Sequence, residues 1–258
     1  MKIKTVNIDS DVEKVLREAK LEGNNLTLQS QLDRSMYTKV IGVLEQIGFK
    51  WNKKLKCHVG EGDSSEQFMQ ALDEGKVVNA KQTYQFFATP DAICDKLVGY
   101  ADIQAGHFFL EPSAGKGAIV KAVHRLADAP HIRFFAIELD PKNVAELQKL
   151  DYLNVAEGDF LKHKQMVDRI VMNPPFSQDQ AIRHVKHAYD LLSPGGRLVA
   201  IMDKGWMFGA NKTRREFKEW YEGMQSDGFA SVPEELPPGT FKDSGTNVGA
   251  ILVIISKR

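Results

Sequence analysis

Met172-Asn173-Pro174-Pro175-Phe176 is the stretch whose residue types most directly suggest chemistry. A buried apolar strand, Asp168 to Met172, runs straight into two prolines. Proline fixes φ and carries no N–H, so the carbonyls of Asn173 and Pro174 are left to accept hydrogen bonds from a ligand. Asn173 adds a side-chain carbonyl. Two convergent acceptors suit a planar amino group with two hydrogens, and Phe176 offers a flat apolar face for the ring that carries it. The plainer alternative is a rigid strand-end turn followed by a core phenylalanine.

A second candidate is Phe108-Phe109-Leu110-Glu111-Pro112-Ser113-Ala114-Gly115-Lys116-Gly117-Ala118-Ile119-Val120, which reads as strand, tight turn, helix. Gly115 and Gly117 would let a ligand approach the backbone. The phosphate-binding loop G-x4-G-K-S/T is absent, and Val120 stands where the dinucleotide fingerprint needs its third glycine. Glu111, just before the glycines, suits a cationic ligand better than a pyrophosphate. Glu138 ends the next strand at close to the ~20-residue spacing expected of a ribose-binding carboxylate. The third strand ends in Gly158-Asp159-Phe160. Asp159 could accept from an adenine amino group with Phe160 stacking on its ring, or it could simply cap a helix. Polar residues at successive strand ends favour a nucleoside cofactor.

These residues need a sheet to position them. From about Tyr84 onward, apolar runs at 107–110, 133–137, 152–156, 169–172, 197–202 and 249–255 predict strands. Intervening helices include 141–150 and 179–192. Such alternation argues for a mostly parallel sheet covered on both faces. Ser193-Pro194-Gly195-Gly196 reads as a helix stop and turn into a strand. The first 80 residues differ. Leu32, Met36, Tyr37, Val40, Ile41, Leu44 and Ile47 recur at helical spacing, and Gly48 follows as a helix-ending glycine. Phe49 to Val59 predicts a basic hairpin with an Asn-Lys turn, and a short helix over 66–73 follows. The expected division is residues 1–80, a small α+β domain of possible winged-helix type that contacts DNA, and residues 81–258.

The chain resembles class I S-adenosylmethionine-dependent methyltransferases and, among them, N6-adenine DNA methyltransferases of gamma motif order. Asn173-Pro174-Pro175-Phe176 is similar to their catalytic Asp/Asn/Ser-Pro-Pro-aromatic motif, and Glu111 to Gly117 to their cofactor loop. Phe87-Ala88-Thr89-Pro90 resembles their F-x-T-P element, and Gly239 to Val248 a hairpin whose aromatic packs on a flipped base. The N-terminal part is similar to segments fused to such enzymes in phages and mobile elements. The resemblance implies a Rossmann-like α/β sheet with an antiparallel C-terminal strand. It implies S-adenosylmethionine as cofactor, held by Phe87, Thr89, Pro90, Glu111, Ser113, Gly115, Gly117, Glu138, Asp159 and Phe160. Asn173, Pro174, Pro175 and Phe176 would be catalytic, with Phe176 and Phe241 stacking on an adenine flipped out of DNA and methylated in line at N6. The sequence ends soon after the hairpin, so no C-terminal target-recognition domain is expected. The same tetrapeptide also occurs in enzymes that methylate RNA base amino groups or a protein glutamine, and a non-catalytic DNA-binding or anti-restriction protein is the third alternative.

Composition bounds these readings. The 258 residues carry 34 Lys+Arg against 34 Asp+Glu, so nucleic acid is not bound by bulk charge. A local basic surface is still open: Lys50, Lys53, Lys54 and Lys56 around Trp51, and Lys212, Arg214 and Arg215 after the 197–202 strand, are candidates for DNA-backbone contact, with a solvated surface as the alternative. Two isolated cysteines and the absence of a CxxC argue against a disulfide scaffold or cysteine zinc site, and His184 and His187 read as surface residues, so no metal is expected. No secretory signal or ~18-residue apolar run is seen, which makes a cytoplasmic protein the expectation.

Overall fold

The computed structural model describes residues 5–60, 64–78, 88–127, 129–242 and 248–258. The chain divides into two compact units, Met1–Tyr84 and Gln85–Arg258.

The first unit runs β1 (Thr5–Asn7), α1 (Ser10–Arg17), β2 (Lys20–Glu22), β3 (Asn25–Thr27), α2 (Arg34–Ile47), β4 (Phe49–Asn52), β5 (Cys57–Gly60), α3 (Ser64–Glu74) and β6 (Lys76–Val78). Strands β2-β3-β5-β4 form an antiparallel sheet, and β1 pairs with β6. The apolar positions of α2 pack Val40, Leu44 and Ile47 into a core with Val12, Leu16, Leu26, Phe49 and Phe68. Asp33 starts α2 by accepting from the Ser35 and Met36 amides, and Gly48 ends it in a left-handed conformation. The basic hairpin forms as expected: Asn52 Oδ1 accepts from the amides of Lys54 and Leu55 and holds the turn. Among the described residues the winged-helix expectation finds no support: one hairpin separates α1 from α2 and another separates α2 from α3, so no two of these helices are joined by the short turn of a helix-turn-helix.

The second unit opens with α4 (Asp91–Ala101). It continues β7 (Phe108–Glu111), α5 (Ala118–Leu126), β8 (Arg133–Glu138), α6 (Pro141–Leu147), β9 (Leu153–Glu157), β10 (Val167–Met172), α7 (Gln180–Asp190), β11 (Leu192–Asp203), α8 (Lys212–Ser226), β12 (Glu234–Glu235) and β13 (Ala250–Ser256). The sheet order is β12-β13-β11-β10-β7-β8-β9, with β11, β10, β7, β8 and β9 parallel and β13 antiparallel to β11. Counted from β7, this is the 3-2-1-4-5-7-6 order of a Rossmann-like methyltransferase sheet. Side-chain alternation explains why both faces are covered. Phe108, Leu110, Ile170, Met172, Leu198 and Ala200 point to one face, under Val185 of α7 and Phe217 and Tyr221 of α8. Phe109, Val171, Val199 and Ile201 point to the other, under Leu97 of α4, Val120 of α5 and Leu147 of α6. Ser193–Gly196 does not stand apart as a turn. It lies inside β11, where the pairing with β10 shifts register between Val167 and Arg169, so the residues form an irregularity in a long strand. No helix among the described residues is long and apolar enough to cross a membrane.

The strand order reverses between β7 and β10, whose connections leave in opposite directions. In open α/β sheets the crevice at the carboxyl ends of such strands is where ligands bind.

Candidate functional site

The loop after β7 is held by two buried carboxylates. Glu111 is 2% exposed, and its Oε2 accepts from the Val120 amide at 2.9 Å, inside the first turn of α5. Burial pushes the Glu111 carboxyl well above its usual range, and neighbouring Glu138 adds to the rise. Glu111 therefore supports the loop from beneath and presents no face to a ligand. Glu138 is 8% exposed. Its Oε2 accepts from the Gly115 amide at 2.6 Å, and its Oε1 from the amides of Leu139 and Asp140 at 2.9 and 2.8 Å. An ionised carboxylate offers about four acceptor sites. Three are engaged by the backbone, so a bidentate grip on two ribose hydroxyls would require the Gly115 contact to yield.

Gly117 begins α5 at φ 77°, and a Cβ there would lie 2.7 Å from Leu147 Cδ2. The positive φ is what favours glycine here, since the Leu147 methyl could shift aside. Gly115 has φ 53°. The Ala114 amide donates to the Ile137 carbonyl at 3.1 Å and the Gly158 amide to the Glu138 carbonyl at 2.8 Å, which join the ends of β7, β8 and β9. Asp159 caps the single turn Phe160–Lys162 through the Leu161 amide at 3.1 Å. Phe160 does not offer a stacking face. It is 2% exposed and its ring lies 5.3 Å from His184 and 4.9 Å from His187.

His184 was expected at the surface and is buried, 7% exposed, with Nδ1 3.4 Å from Ser113 Oγ. The missed signal is helical spacing: Ala181, His184, Val185 and Ala188 form one buried face of α7. His187 is half-buried, its Nε2 3.0 Å from the His163 carbonyl. Burial lowers the His184 imidazole to about 4, partly opposed by Asp159.

Thr89 and Asn173 meet across the site: the Asn173 amide Nδ2 donates to Thr89 Oγ1 at 3.1 Å. Pro90 caps α4. The Cys94 thiol, on the first turn of α4, reaches the Thr89 carbonyl at 3.6 Å, and burial pushes it up to about 12. Pro174 is buried, Pro175 and Phe176 are half-buried, and Phe176 packs against both faces of the core. Gln178 and Asp179 follow at φ 56° each, a left-handed pair of non-glycine residues. Asp179 is held there by Arg214 Nε at 2.6 Å and Asn211 Nδ2 at 2.8 Å.

Several expectations need correction. Phe241 is 2% exposed in the core cluster of Leu236, Ala250 and Leu252, so no face is available for a base. Arg214 is committed to Asp179, with 26% and 16% of the two side chains exposed, and is not available as a phosphate ligand. Lys212 is 83% exposed beside Glu216, and Arg215 is exposed. Lys50, Lys53, Lys54 and Lys56 are exposed on the hairpin of the first unit with Trp51 at 52%. Phe87 and Asp243–Asn247 of the expected hairpin lie outside the described residues.

Residues 110–231 match the family model described as the methyltransferase small domain. A stretch of 111 residues is 30% identical to the mycinamicin-resistance protein MyrB of Micromonospora griseorubida, covering 42% of this chain and 34% of that protein. Among solved structures, the type I restriction-modification methyltransferase subunit of Streptococcus thermophilus superposes with a TM-score of 0.59 at 16% identity, over 67% of this chain and 44% of that one. The M protein of the type I restriction enzyme EcoKI gives 0.54 at 15% identity, over 76% and 51%. The chain thus spans about a third of the curated relative and about half of each structure.

Two outcomes are expected. Glu138→Ala leaves the buried Gly115 amide and two further amides without their acceptor, and should cost roughly 2 kcal/mol or more in urea unfolding. Unfolding unchanged from wild type would remove the tether from the account. His184 has its pKa lowered in the fold, from 6.5 to about 4. The unfolded chain then binds more protons between these values, so stability is full above pH 6.5 and falls toward pH 4, by about 3 kcal/mol. His184→Gln should flatten that decline; an identical pH profile would contradict it.

Proposed function

We propose that this chain transfers the methyl group of S-adenosylmethionine to the N6 amino group of adenine in DNA. The observation that carries the reading is the Asn173–Thr89 hydrogen bond at 3.1 Å, which joins the Asn-Pro-Pro-Phe turn to the T-P element 84 residues earlier in sequence. The bond commits the amide nitrogen and orients the group, so that Oδ1 is the side-chain atom that accepts from a target amine. A simple strand-end turn has no need of that orientation.

The strand-end residues suit the cofactor in chemistry and in space. Gly115 and Gly117 present backbone without side chains on either side of Lys116, and Glu138 and Asp159 carry carboxylates at the ends of β8 and β9. When bound, S-adenosylmethionine supplies a sulfonium methyl that is already activated, so the protein's task is positioning and electrostatics. Glu138 would take a ribose hydroxyl on its remaining acceptor site, and Asp159 would face the adenine.

An exocyclic amine conjugated to its ring is a weak nucleophile. Accepting both of its hydrogens at Asn173 Oδ1 and the Pro174 carbonyl would draw the lone pair out of conjugation and aim it at the methyl. Formation of the N–C bond would break the sulfonium C–S bond, S-adenosylhomocysteine would leave, and the strongly acidic methylated amine would give its proton to water without a general base of shifted pKa. The half-buried Phe176 supplies the flat face for the target ring. A base paired within a duplex cannot reach these atoms, so it must leave the stack, at a cost of a few kcal/mol.

Asn173→Ala tests the assignment. S-adenosylmethionine affinity by calorimetry should stay close to wild type, while single-turnover methylation of adenine-containing DNA falls ~10²–10³-fold, as for loss of one well-placed electrostatic contact. Wild-type turnover by this variant would return the tetrapeptide to a structural role.

A further inference from the structure

Resting on the DNA reading, we infer that Phe208 is the side chain that stacks into nucleic acid beside the target base. Phe208 is 80% exposed, and it sits on a turn whose other ring is not: Trp206 is 3% exposed. A lone exposed aromatic is ordinary on a protein surface. Its placement is what distinguishes this one.

The turn Lys204–Phe208 leaves the carboxyl end of β11. That strand pairs in parallel with β10, Met172 opposite Ala200. Adjacent strands lie about 5 Å apart, so Phe208 and Asn173 emerge at the same edge of the sheet from neighbouring strands. The two connections are also tied together directly. Asp179, three residues after Phe176, is bonded to Arg214 and Asn211, which follow Phe208 within a few residues.

The turn is braced on both sides of the exposed ring. Before it, Asp203 Oδ1 accepts from the Gly205 amide at 2.8 Å, and Trp206 packs against Phe217 and Tyr221 at 5.0 and 5.1 Å. After it, Gly209 adopts φ 58° and its amide donates to the Trp206 carbonyl at 3.1 Å. A braced turn that still directs a large ring outward restricts how that ring is presented, which is what stacking requires.

The surroundings favour nucleic acid as occupant. Exposed Lys212 and Arg215 lie on the first turn of α8, and Arg215 Nη1 is 3.5 Å from the Gly209 carbonyl, next to Phe208. An exposed ring beside Arg215 and beside Lys212, which also reaches Glu216 at 3.6 Å, matches a base with its phosphates. Met207 at 36% is the turn's other exposed apolar side chain, and two adjacent residues are less than the contiguous apolar patch that a membrane or a protein partner would cover. An inserted apolar side chain is a known means of holding open a base step, and here it would fill the gap left by the departed adenine.

The test uses the full chain with unmethylated genomic DNA, native and heat-denatured. Phe208→Ala should lower kcat/KM on native DNA about tenfold, within the range for loss of one base–aromatic stack. The loss should be smaller on denatured DNA, where no stack has to open. Thermal midpoint and S-adenosylmethionine affinity should not move, and Phe208→Trp should recover most of the rate. Wild-type kcat/KM for Phe208→Ala on native DNA would overturn this role while leaving DNA methylation intact. A wild-type protein that methylates neither form of DNA would instead overturn the DNA reading, and this role with it.

Discussion

One carboxylate holds the loop after β7 in shape. Glu138, at the end of β8, accepts three backbone amides, from Gly115 on the neighbouring loop and from Leu139 and Asp140 on its own. The loop after β7 must turn sharply, and its backbone donors would be buried without partners if nothing accepted them. Glu111 does the same for the first turn of α5 from below. The two acids stand at the same end of adjacent parallel strands because β7 and β8 pair in register, Glu111 opposite Ala136.

The acceptor side of the site rests on a different device. The Asn-Pro-Pro-Phe turn is gripped from two directions, by Thr89 on Asn173 and by Arg214 and Asn211 on Asp179. Two successive left-handed residues, Gln178 and Asp179, cost on the order of 1–3 kcal/mol each. The half-buried ion pair with Arg214 offsets part of that cost and lowers the Asp179 carboxyl below its usual range. The result is a turn held from both sides, the form of preorganisation that the proposed transfer would need.

Much of this was legible in the sequence. The β7, β8, β10 and β13 runs are rich in apolar residues and bounded by polar residues or glycine, so strand–helix alternation followed, whereas the reversal of strand order is visible only in the structure. Asn173 and the glycine loop stood out because their residue types have narrow uses. The aromatics were misread. Phe160 and Phe241 were assigned exposed faces by position in a motif, whereas each side chain is folded into the core where its apolar area is best buried. His184 was read by residue type, although its spacing with Ala181, Val185 and Ala188 places it on the buried stripe of α7. Arg214 was counted as a free cation because its partner Asp179 is remote in sequence. The three-residue strands of the first unit escaped because so short a run has no periodicity to read.

The central claim is that the amine presented to Asn173 and Pro174 belongs to adenine in DNA. The direct measurement incubates wild-type protein with methyl-labelled S-adenosylmethionine and, in parallel, unmethylated DNA, ribosomal RNA and a protein mixture, then digests each polymer and identifies the labelled product. The account predicts label in DNA as N6-methyladenine. Label on an RNA base or a protein glutamine, with none in DNA, would contradict it.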